Sequence, residues 1–185
     1  MSEDLRVRKT KQAIENALLS LLEIMPFSKV RVIHIAEKAM VNRNTIYLHY
    51  NSKEDIVISI INRQFRENFS SLSPESLFPA RYNYKAIRSG FMKMLTIIEN
   101  NIDLYRITLM DKNLSGYVNV LLNQIKDAIY KEIKQTKKNL LTVEYIANGG
   151  FGVISRWIIY ATGEKEEIAD ILTDFTVSGL RKLTR

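Results

Sequence analysis

Six side chains with hydrogen-bonding or cationic groups lie within one segment of eleven residues near the N-terminus. They are Arg43, Asn44, Thr45, Tyr47, His49 and Lys53. Arginine can donate two parallel hydrogen bonds to guanine and asparagine can pair with adenine, while tyrosine, threonine and histidine can reach phosphates or base edges. Lys53 opens a further predicted helix, where backbone N–H groups and a cation can meet one phosphate. The segment therefore has the groups needed to contact a nucleic acid.

Two short helices, Val32–Ala39 and Arg43–Tyr50, are predicted to position these side chains. The residues that would face inward are apolar and recur at helical spacing. They are Ile35, Ala36, Ala39, Val41, Ile46 and Tyr50. Ala36 is small at the point where the two helices must cross closely. This pattern is typical of a helix-turn-helix, whose second helix enters the major groove of DNA.

The distribution of charge favours a polyanionic partner for this part of the chain. The 185 residues include 27 Lys and Arg against 20 Asp and Glu, which gives a net charge of +7. Residues 1–53 hold nine of the basic and five of the acidic residues, so over half of the excess lies in under a third of the chain. Arg6, Arg8, Lys9 and Lys11 could also touch the DNA backbone or minor groove.

Other residue counts argue against an enzyme. Cysteine is absent and histidine occurs twice, which excludes a disulfide scaffold and thiol catalysis and disfavours a His-rich metal site. No carboxylate pair stands at a suggestive spacing outside ordinary helix faces. We therefore expect no catalytic residue, metal or cofactor. Apolar runs long enough for a membrane span and the apolar core of a signal peptide are both missing, so the sequence predicts a cytoplasmic protein without a membrane partner.

The rest of the chain is predicted to be helical, with one loop dividing it. Pro74 and Pro79 lie in the Ser- and Pro-rich segment 70–80, which is the predicted break between two parts. Thr10 is a candidate N-cap of the first helix, and Lys137–Asn139 is predicted to end a long helix. The predicted fold is all-α with about nine helices, comprising an N-terminal helix-turn-helix domain and a C-terminal helical domain.

Residues 8–65 resemble the TetR family of transcription regulators. The resemblance rests on Val32-Ile-His-Ile-Ala-Glu-Lys-Ala and above all on Thr45-Ile-Tyr-Leu-His-Tyr followed by Ser52-Lys-Glu-Asp. It implies a homodimer in which each subunit places its recognition helix in one major groove of a near-palindromic operator.

The resemblance also implies a division of the chain and a set of DNA contacts. Residues 1–53 would bind DNA, 54–69 would form a connecting helix, and 70–185 would bind an effector and dimerise. The positions that match the family's DNA contacts are Arg43, Asn44, Thr45, Tyr47, Leu48, His49 and Lys53.

Two positions depart from the family pattern. Met40 stands where the family usually has glycine in the turn, so a left-handed backbone there would be strained. Arg31 stands where threonine often caps the helix. Arginine lacks the hydroxyl that would cap the helix beginning at Val32, and Arg31 is instead a candidate phosphate contact.

The C-terminal part is expected to hold an effector pocket among its middle helices. The candidate lining residues are Phe91, Met94, Leu95, Tyr105, Leu109, Tyr117 and Leu121. Plain core packing is the alternative interpretation for each of them, because their spacing is that of any buried helix face.

The last two predicted helices carry more apolar surface than a small monomer buries. Paired across a two-fold axis they would form a four-helix interface. Its candidate residues are Phe151, Trp157, Ile168 and Phe175, and core packing is the alternative for Phe151, Trp157 and Phe175. The segment Gly149-Gly-Phe-Gly-Val-Ile-Ser-Arg-Trp157 also resembles a branch of the family that includes activators of dihydroxyacetone-kinase operons. Its glycines are interpreted as small residues that let two helices approach closely, since the pattern of a phosphate-binding loop is incomplete.

Two functions remain open from the sequence. The first is a repressor that a small hydrophobic effector releases from double-stranded operator DNA. The alternative is a DNA-binding regulator or coactivator whose C-terminal domain binds a partner protein. In either case the ligand would shift the spacing of the two recognition helices, and the helix from Ser52 to Phe69 is the expected lever.

Overall fold

The computed structural model describes residues 5–69, 83–130, 134 and 136–182, and this part of the chain is helical throughout, without a strand. The N-terminal elements are α1 (Leu5–Leu22), a 3-10 turn (Phe27–Lys29), α2 (Val32–Ala39), α3 (Arg43–Tyr47) and α4 (Lys53–Phe69). The C-terminal elements are α5 (Tyr84–Glu99), α6 (Ile102–Met110), α7 (Ser115–Tyr130), α8 (Lys137–Tyr160) and α9 (Lys165–Leu180). The predicted all-α fold is confirmed by these nine described α-helices, whereas the predicted break at 70–80 lies outside the described residues.

Two predicted helix ends are wrong, because the capping side chains lie elsewhere. Thr10 is inside α1, where its hydroxyl donates a hydrogen bond to the Arg6 carbonyl at 2.9 Å. Lys137–Asn139 begins α8 instead of ending α7, because the Thr136 hydroxyl accepts the Asn139 N–H at 3.2 Å. A side chain that accepts a backbone N–H in this way fixes the start of a helix.

The N-terminal core extends into the C-terminal half of the chain. Buried side chains of α1 to α4 form one cluster with Leu104 of α6 and Leu114, which immediately precedes α7. α4 contributes Ile56, Val57, Ile60 and Ile61 to this cluster. Burying one large aliphatic side chain stabilises a fold by about 1.5–3 kcal/mol, so the shared leucines join the two halves energetically.

The C-terminal helices α5, α8 and α9 pack around two further apolar clusters. α9 approaches α8 most closely at Gly179, where a Cβ atom would lie 2.5 Å from Cδ1 of Ile146. Gly149 and Gly152 of α8 face open space, whereas a Cβ atom at Gly150 would lie 3.7 Å from Cδ2 of Leu172 on α9. Within this subunit the predicted helix contact therefore occurs at Gly150 and not at Gly149 or Gly152. None of the described helices is long and apolar enough to cross a membrane.

Met40 has the left-handed backbone that its position predicted, with φ 55° and ψ 40°, and its side chain is 92% exposed. This conformation costs an L-residue about 1–2 kcal/mol and costs glycine much less.

We expect Met40→Gly to raise the free energy of unfolding by about 0.5–1 kcal/mol, measured by thermal denaturation. Ala39→Gly, inside the same helix, is the matched control and should lower stability by about 1 kcal/mol. A lower melting temperature for Met40→Gly would contradict the strain.

Candidate nucleic-acid interface

α2 and α3 form the predicted helix-turn-helix, and buried side chains fix their relative position. Ile35 and Ala36 of α2 pack against Ile46 of α3, and all three are buried. In the turn, the Val41 N–H donates to the Ala36 carbonyl at 3.0 Å. The small side chain of Ala36 therefore lies between α2 and α3, as its size predicted.

Asn42 begins α3 by accepting the Asn44 N–H on its side-chain oxygen at 2.8 Å. The helix ends at Tyr47, earlier than the predicted end at Tyr50. Leu48 and His49 consequently lie in the turn that follows α3, and the Leu48 side chain is 80% exposed. The predicted contact residues from Arg43 to His49 still lie on one continuous segment, on which Arg43, Asn44, Tyr47 and Leu48 are exposed.

Arg43 and Tyr47 hold each other on the exposed face of α3. The Arg43 guanidinium donates to the Tyr47 hydroxyl at 3.0 Å and lies 5.3 Å from the centre of its ring. Asn44 is also exposed, whereas Thr45 and His49 are half-buried. The contact between Arg43 and Tyr47 restricts both side chains, so less conformational entropy is lost when either one binds a ligand.

A concavity of about 510 Å³ lies between the first turns of α2 and α4 and the exposed face of α3. Arg31, Arg43, Tyr47 and Lys53 are among its lining residues, and Glu54 supplies one negative charge. The N-terminus of a helix carries unpaired N–H groups and a partial positive charge. Two helix N-termini and three cationic side chains therefore meet at one surface, which suits an anion of phosphate size.

His34 takes over the capping role that Arg31 cannot perform. The Arg31 backbone N–H donates to Nδ1 of His34 at 3.3 Å, and the Arg31 guanidinium lies 3.1 Å from Nε2 of the same ring. A neutral imidazole has one acceptor nitrogen, so the two contacts compete. The α2 N-terminus is thus closed by a side chain three residues into the helix.

Lys53 supports the local fold from within the candidate interface. Its ammonium donates to the carbonyl oxygens of Phe27 at 2.7 Å and Val30 at 3.0 Å, and it lies 4.2 Å from the centre of the Phe27 ring. These contacts tie the first residue of α4 to the chain that leads into α2. One ammonium hydrogen remains for a phosphate. The DNA contact that the sequence predicts for Lys53 is therefore compatible with this structural role, and it stays a proposal.

Sequence reasoning missed Glu15 of α1, whose carboxylate is buried against α4 and the segment that follows α3. Oε1 accepts the hydroxyls of Tyr50 at 3.2 Å and Ser59 at 2.7 Å, and Oε2 accepts Nε–H of Arg63 at 2.9 Å. The signal in the sequence was that Glu15 lies three residues before Leu18 on the apolar face of α1. A carboxylate at such a position requires buried donors from its neighbours.

An apolar cavity of about 130 Å³ lies in the C-terminal half, between α4, α5, α6, α7 and α8. Of the predicted pocket residues, Met94, Tyr105 and Leu109 line it. Ile61 of α4 and Phe151 of α8 also line it.

The other predicted pocket residues lie elsewhere. Leu95 is fully buried in the core, and Phe91 packs between the two C-terminal clusters. Tyr117 packs against the N-terminal cluster. The side chain of Leu121 lies outside the described residues. The alternative interpretation of plain core packing therefore describes Phe91 and Leu95.

Two phenols connect the C-terminal half to α4. The Tyr105 hydroxyl donates to Oε1 of Gln64 at 2.7 Å, and the Tyr117 hydroxyl donates to Oδ1 of Asn62. Burial raises the pKa of Tyr105 and raises the pKa of Tyr117 to about 12. Both phenols therefore stay protonated near neutral pH and keep donating to the amides of α4.

The predicted interface residues divide between the surface and the interior. Phe175 is 65% exposed, whereas Trp157 and Ile168 are 7% and 6% exposed in the core of their own subunit. Phe151 lines the cavity. Because buried side chains have little surface left for a partner, an interface proposal for these helices depends on Phe175 and its exposed neighbours.

These neighbours form an apolar groove between α8 and α9. Tyr145, Val153, Ile171 and Phe175 are among the residues that line it. Gly149 lies one turn after Tyr145 on α8 and leaves open space above the backbone. The surface is therefore apolar and leaves room at Gly149 for a second helix to approach it.

Comparison with known proteins identifies the family. Residues 16–60 match the family model of bacterial regulatory proteins of the tetR family, and residues 85–178 match that of a transcriptional regulator C-terminal region. The chain belongs to the TetR family. It is a transcriptional regulator and not an enzyme.

A curated TetR-like relative is the uncharacterized HTH-type transcriptional regulator YxbF of Bacillus subtilis, which is 28% identical over 98 residues. The match covers 52% of this chain and 26% of that protein, so the chain spans about a quarter of the curated relative.

Solved structures share the TetR fold over nearly the whole chain. The dihydroxyacetone kinase operon activator DhaS has a TM-score of 0.70 and 16% identity, covering 95% of this chain and 98% of that one. FadR from Bacillus halodurans, a fatty acid degradation regulator, has a TM-score of 0.62 and 14% identity, covering 98% and 99%. Thermus thermophilus FadR, a TetR-family repressor in complex with lauroyl-CoA, has a TM-score of 0.57 and 19% identity, covering 92% and 91%. At these identities the likeness is one of fold.

The double role of Lys53 can be separated by experiment. We expect Lys53→Met to lower the free energy of unfolding by about 1–2 kcal/mol, because the carbonyls of Phe27 and Val30 lose a charged donor, measured by urea denaturation. If Lys53 also contacts phosphate, the slope of log binding constant against log salt should fall in magnitude by about one. Lys38→Met removes the same charge from an exposed position of α2 and should change stability by less than about 0.5 kcal/mol. Equal stability of the two variants would contradict the structural role of Lys53.

Proposed function

We propose that this TetR-family regulator is a homodimer that binds a near-palindromic operator in double-stranded DNA and represses transcription until a small apolar effector binds. The DNA-binding part of this proposal is supported by the concavity where the N-termini of α2 and α4 meet Arg31, Arg43 and Lys53. Phosphate contacts there would fix the orientation of the protein, and α3 would then read base edges. Residues 1–53 would form this DNA-binding unit, with 54–69 as the connecting helix and 70–185 as the effector and dimer unit.

Each exposed side chain of α3 and its following turn suits a particular DNA group. The Arg43 guanidinium has the geometry for the O6 and N7 atoms of guanine, and the Asn44 amide for adenine. Leu48 offers an apolar contact for a thymine methyl group. Tyr47, Thr45 and His49 would donate to phosphates or base edges, and Arg31 would contact phosphate from the start of α2.

The role of Arg43 is tested with DNA that the protein itself selects from a random-sequence library. Arg43→Ala should weaken binding to the selected duplex about tenfold to a hundredfold and relax the choice of one base pair, because a bidentate contact to guanine is lost. Lys93→Ala removes the same charge from the exposed face of α5 and should change affinity by less than about twofold. Unchanged sequence preference of Arg43→Ala would remove Arg43 from base recognition.

The exposed apolar surface of α8 and α9 supports the homodimer. Tyr145, Gly149 and Gly152 follow one face of α8 at helical spacing, and Ile171 and Phe175 follow one face of α9. A two-fold axis would bring this surface against its own copy and form a four-helix interface. The open glycines would then allow a close approach to the partner subunit.

A charge at the centre of this surface should dissociate the dimer. We expect Phe175→Glu to be monomeric at micromolar concentration in light scattering coupled to size-exclusion chromatography, because an interface cannot bury an unpaired carboxylate cheaply. Met110→Glu is the matched control, since Met110 is 64% exposed and lies on α6. A Phe175→Glu protein that stays dimeric would place the interface on another surface.

The cavity between α4 and the C-terminal helices supports a small apolar effector. Its volume of about 130 Å³ is close to that of an engineered apolar cavity of about 150 Å³ that binds benzene. Typical pockets for larger ligands measure about 300–1,000 Å³, so a ligand as large as the lauroyl-CoA of the Thermus protein would need the cavity to widen.

The hydrogen bond from Tyr105 to Gln64 suggests how such an effector would act on α4. Tyr105 lines the cavity, and its hydroxyl donates to α4. Ile61 of α4 lines the same cavity. A ligand that displaces either side chain would alter the packing of α4 and hence the spacing of the two recognition helices, which must match half-sites about 34–36 Å apart.

Benzene is a suitable probe of this cavity. We expect millimolar benzene to raise the melting temperature of the wild-type protein, because a ligand that binds only the folded state stabilises it. Val118→Phe introduces a larger side chain into the cavity wall and should abolish the shift. An equal shift in both proteins would place the benzene elsewhere.

The second candidate is a C-terminal domain that binds a partner protein. The small volume of the cavity favours it, and so does the fold shared with an activator, DhaS. If benzene and larger apolar probes leave both melting temperature and operator affinity unchanged, this candidate is preferred over the effector-released repressor.

A further inference from the structure

We propose that Glu15 is a positioning residue for DNA recognition, which sets the orientation of the segment after α3 relative to α1 and α4. This inference rests on the proposed DNA-binding function, but it concerns a residue outside the DNA-facing surface. The Glu15 residue is 4% exposed. It therefore acts on DNA only through the residues that it holds.

The hydrogen bonds of Glu15 join three parts of the N-terminal half. Tyr50 lies three residues beyond the end of α3, and its hydroxyl donates to Oε1. Ser59 and Arg63 lie one turn apart on α4 and donate to Oε1 and Oε2. Residues 43–50, which are α3 and the turn after it, are called the recognition segment here. This segment and α4 are thus fixed to the same carboxylate on α1.

A carboxylate constrains this arrangement more closely than apolar packing does. Apolar contacts are non-directional, so the energy of the isoleucine contacts depends less on the angle between helices than the energy of a hydrogen bond does. Hydrogen bonds to a buried carboxylate need good distance and angle, and loss of a partner leaves an uncompensated charge. A rotation of the recognition segment would break the bond from Tyr50 first, because Tyr50 is the donor on that segment, whereas Ser59 and Arg63 lie on α4.

The same arrangement places Glu15 on the route from the C-terminal half to the DNA. α4 accepts the phenol hydrogen bonds on Asn62 and Gln64, and it donates to Glu15 from Ser59 and Arg63. A displacement of α4 therefore changes the contacts of the carboxylate that also holds Tyr50.

The test compares binding to two duplexes of equal length, one selected by the wild-type protein and one of random sequence, at a temperature where every variant is folded by circular dichroism. Glu15→Gln keeps the shape of the side chain but places an amide against Arg63 or the hydroxyls. It should weaken binding to the selected duplex about tenfold and binding to the random duplex by less than about twofold. A residue that only stabilised the fold would leave the ratio of the two affinities unchanged.

Tyr50→Phe and Ser59→Ala form a matched pair, because each removes one hydroxyl from the same carboxylate oxygen. Tyr50→Phe frees the recognition segment and should weaken binding to the selected duplex about three- to fivefold. Ser59→Ala leaves Arg63 to hold α4 and should change that affinity by less than about twofold. This pair keeps the test decisive if Glu15→Gln does not fold.

The outcomes separate the two proposals. Wild-type affinity ratios in Tyr50→Phe and in any folded Glu15→Gln would overturn the positioning role alone. A wild-type protein that selects no sequence would overturn the operator-binding proposal, and the positioning role would fall with it.

Discussion

Ile56, Val57, Ile60 and Ile61 of α4 are buried in the core that α1, α2 and α3 also form. α4 also accepts hydrogen bonds from phenols of α6 and α7, and Ile61 reaches the C-terminal cavity. α4 is therefore packed against both halves of the chain. Because close-packed interiors transmit strain instead of absorbing it, a change on either side of α4 has to be accommodated on the other.

Polar groups define the geometry around this apolar core. The ammonium of Lys53, the first residue of α4, and the carboxylate of Glu15 on α1 both bind groups far away in the sequence. Asn42 and Thr136 begin their helices through side-chain acceptors. Apolar burial supplies most of the stability of such a fold, while directional bonds at a few positions select one arrangement of its helices.

The sequence predicted the helices well where the pattern was local. Both ends of Val32–Ala39 agree with the structure, because its apolar spacing and neighbouring turn residues act within a few positions. Thr10 was misread as a cap, since a threonine inside a helix can bond the preceding turn equally well. Trp157 was a candidate for the interface or the core, and the packed structure shows it buried. The contacts of Glu15 and Lys53 span 23 residues or more, so one-dimensional spacing could not reveal them.

Leu104 and Leu114, which lie in the N-terminal core, have a consequence for how long the protein survives in a cell. Proteases cleave chains that open, and a ligand protects every segment whose opening requires the ligand to leave. Since the leucines of one half complete the core of the other, a molecule bound to either half opposes the opening of both. Occupancy of the DNA or of the cavity would thereby set the turnover of the regulator as well as its activity.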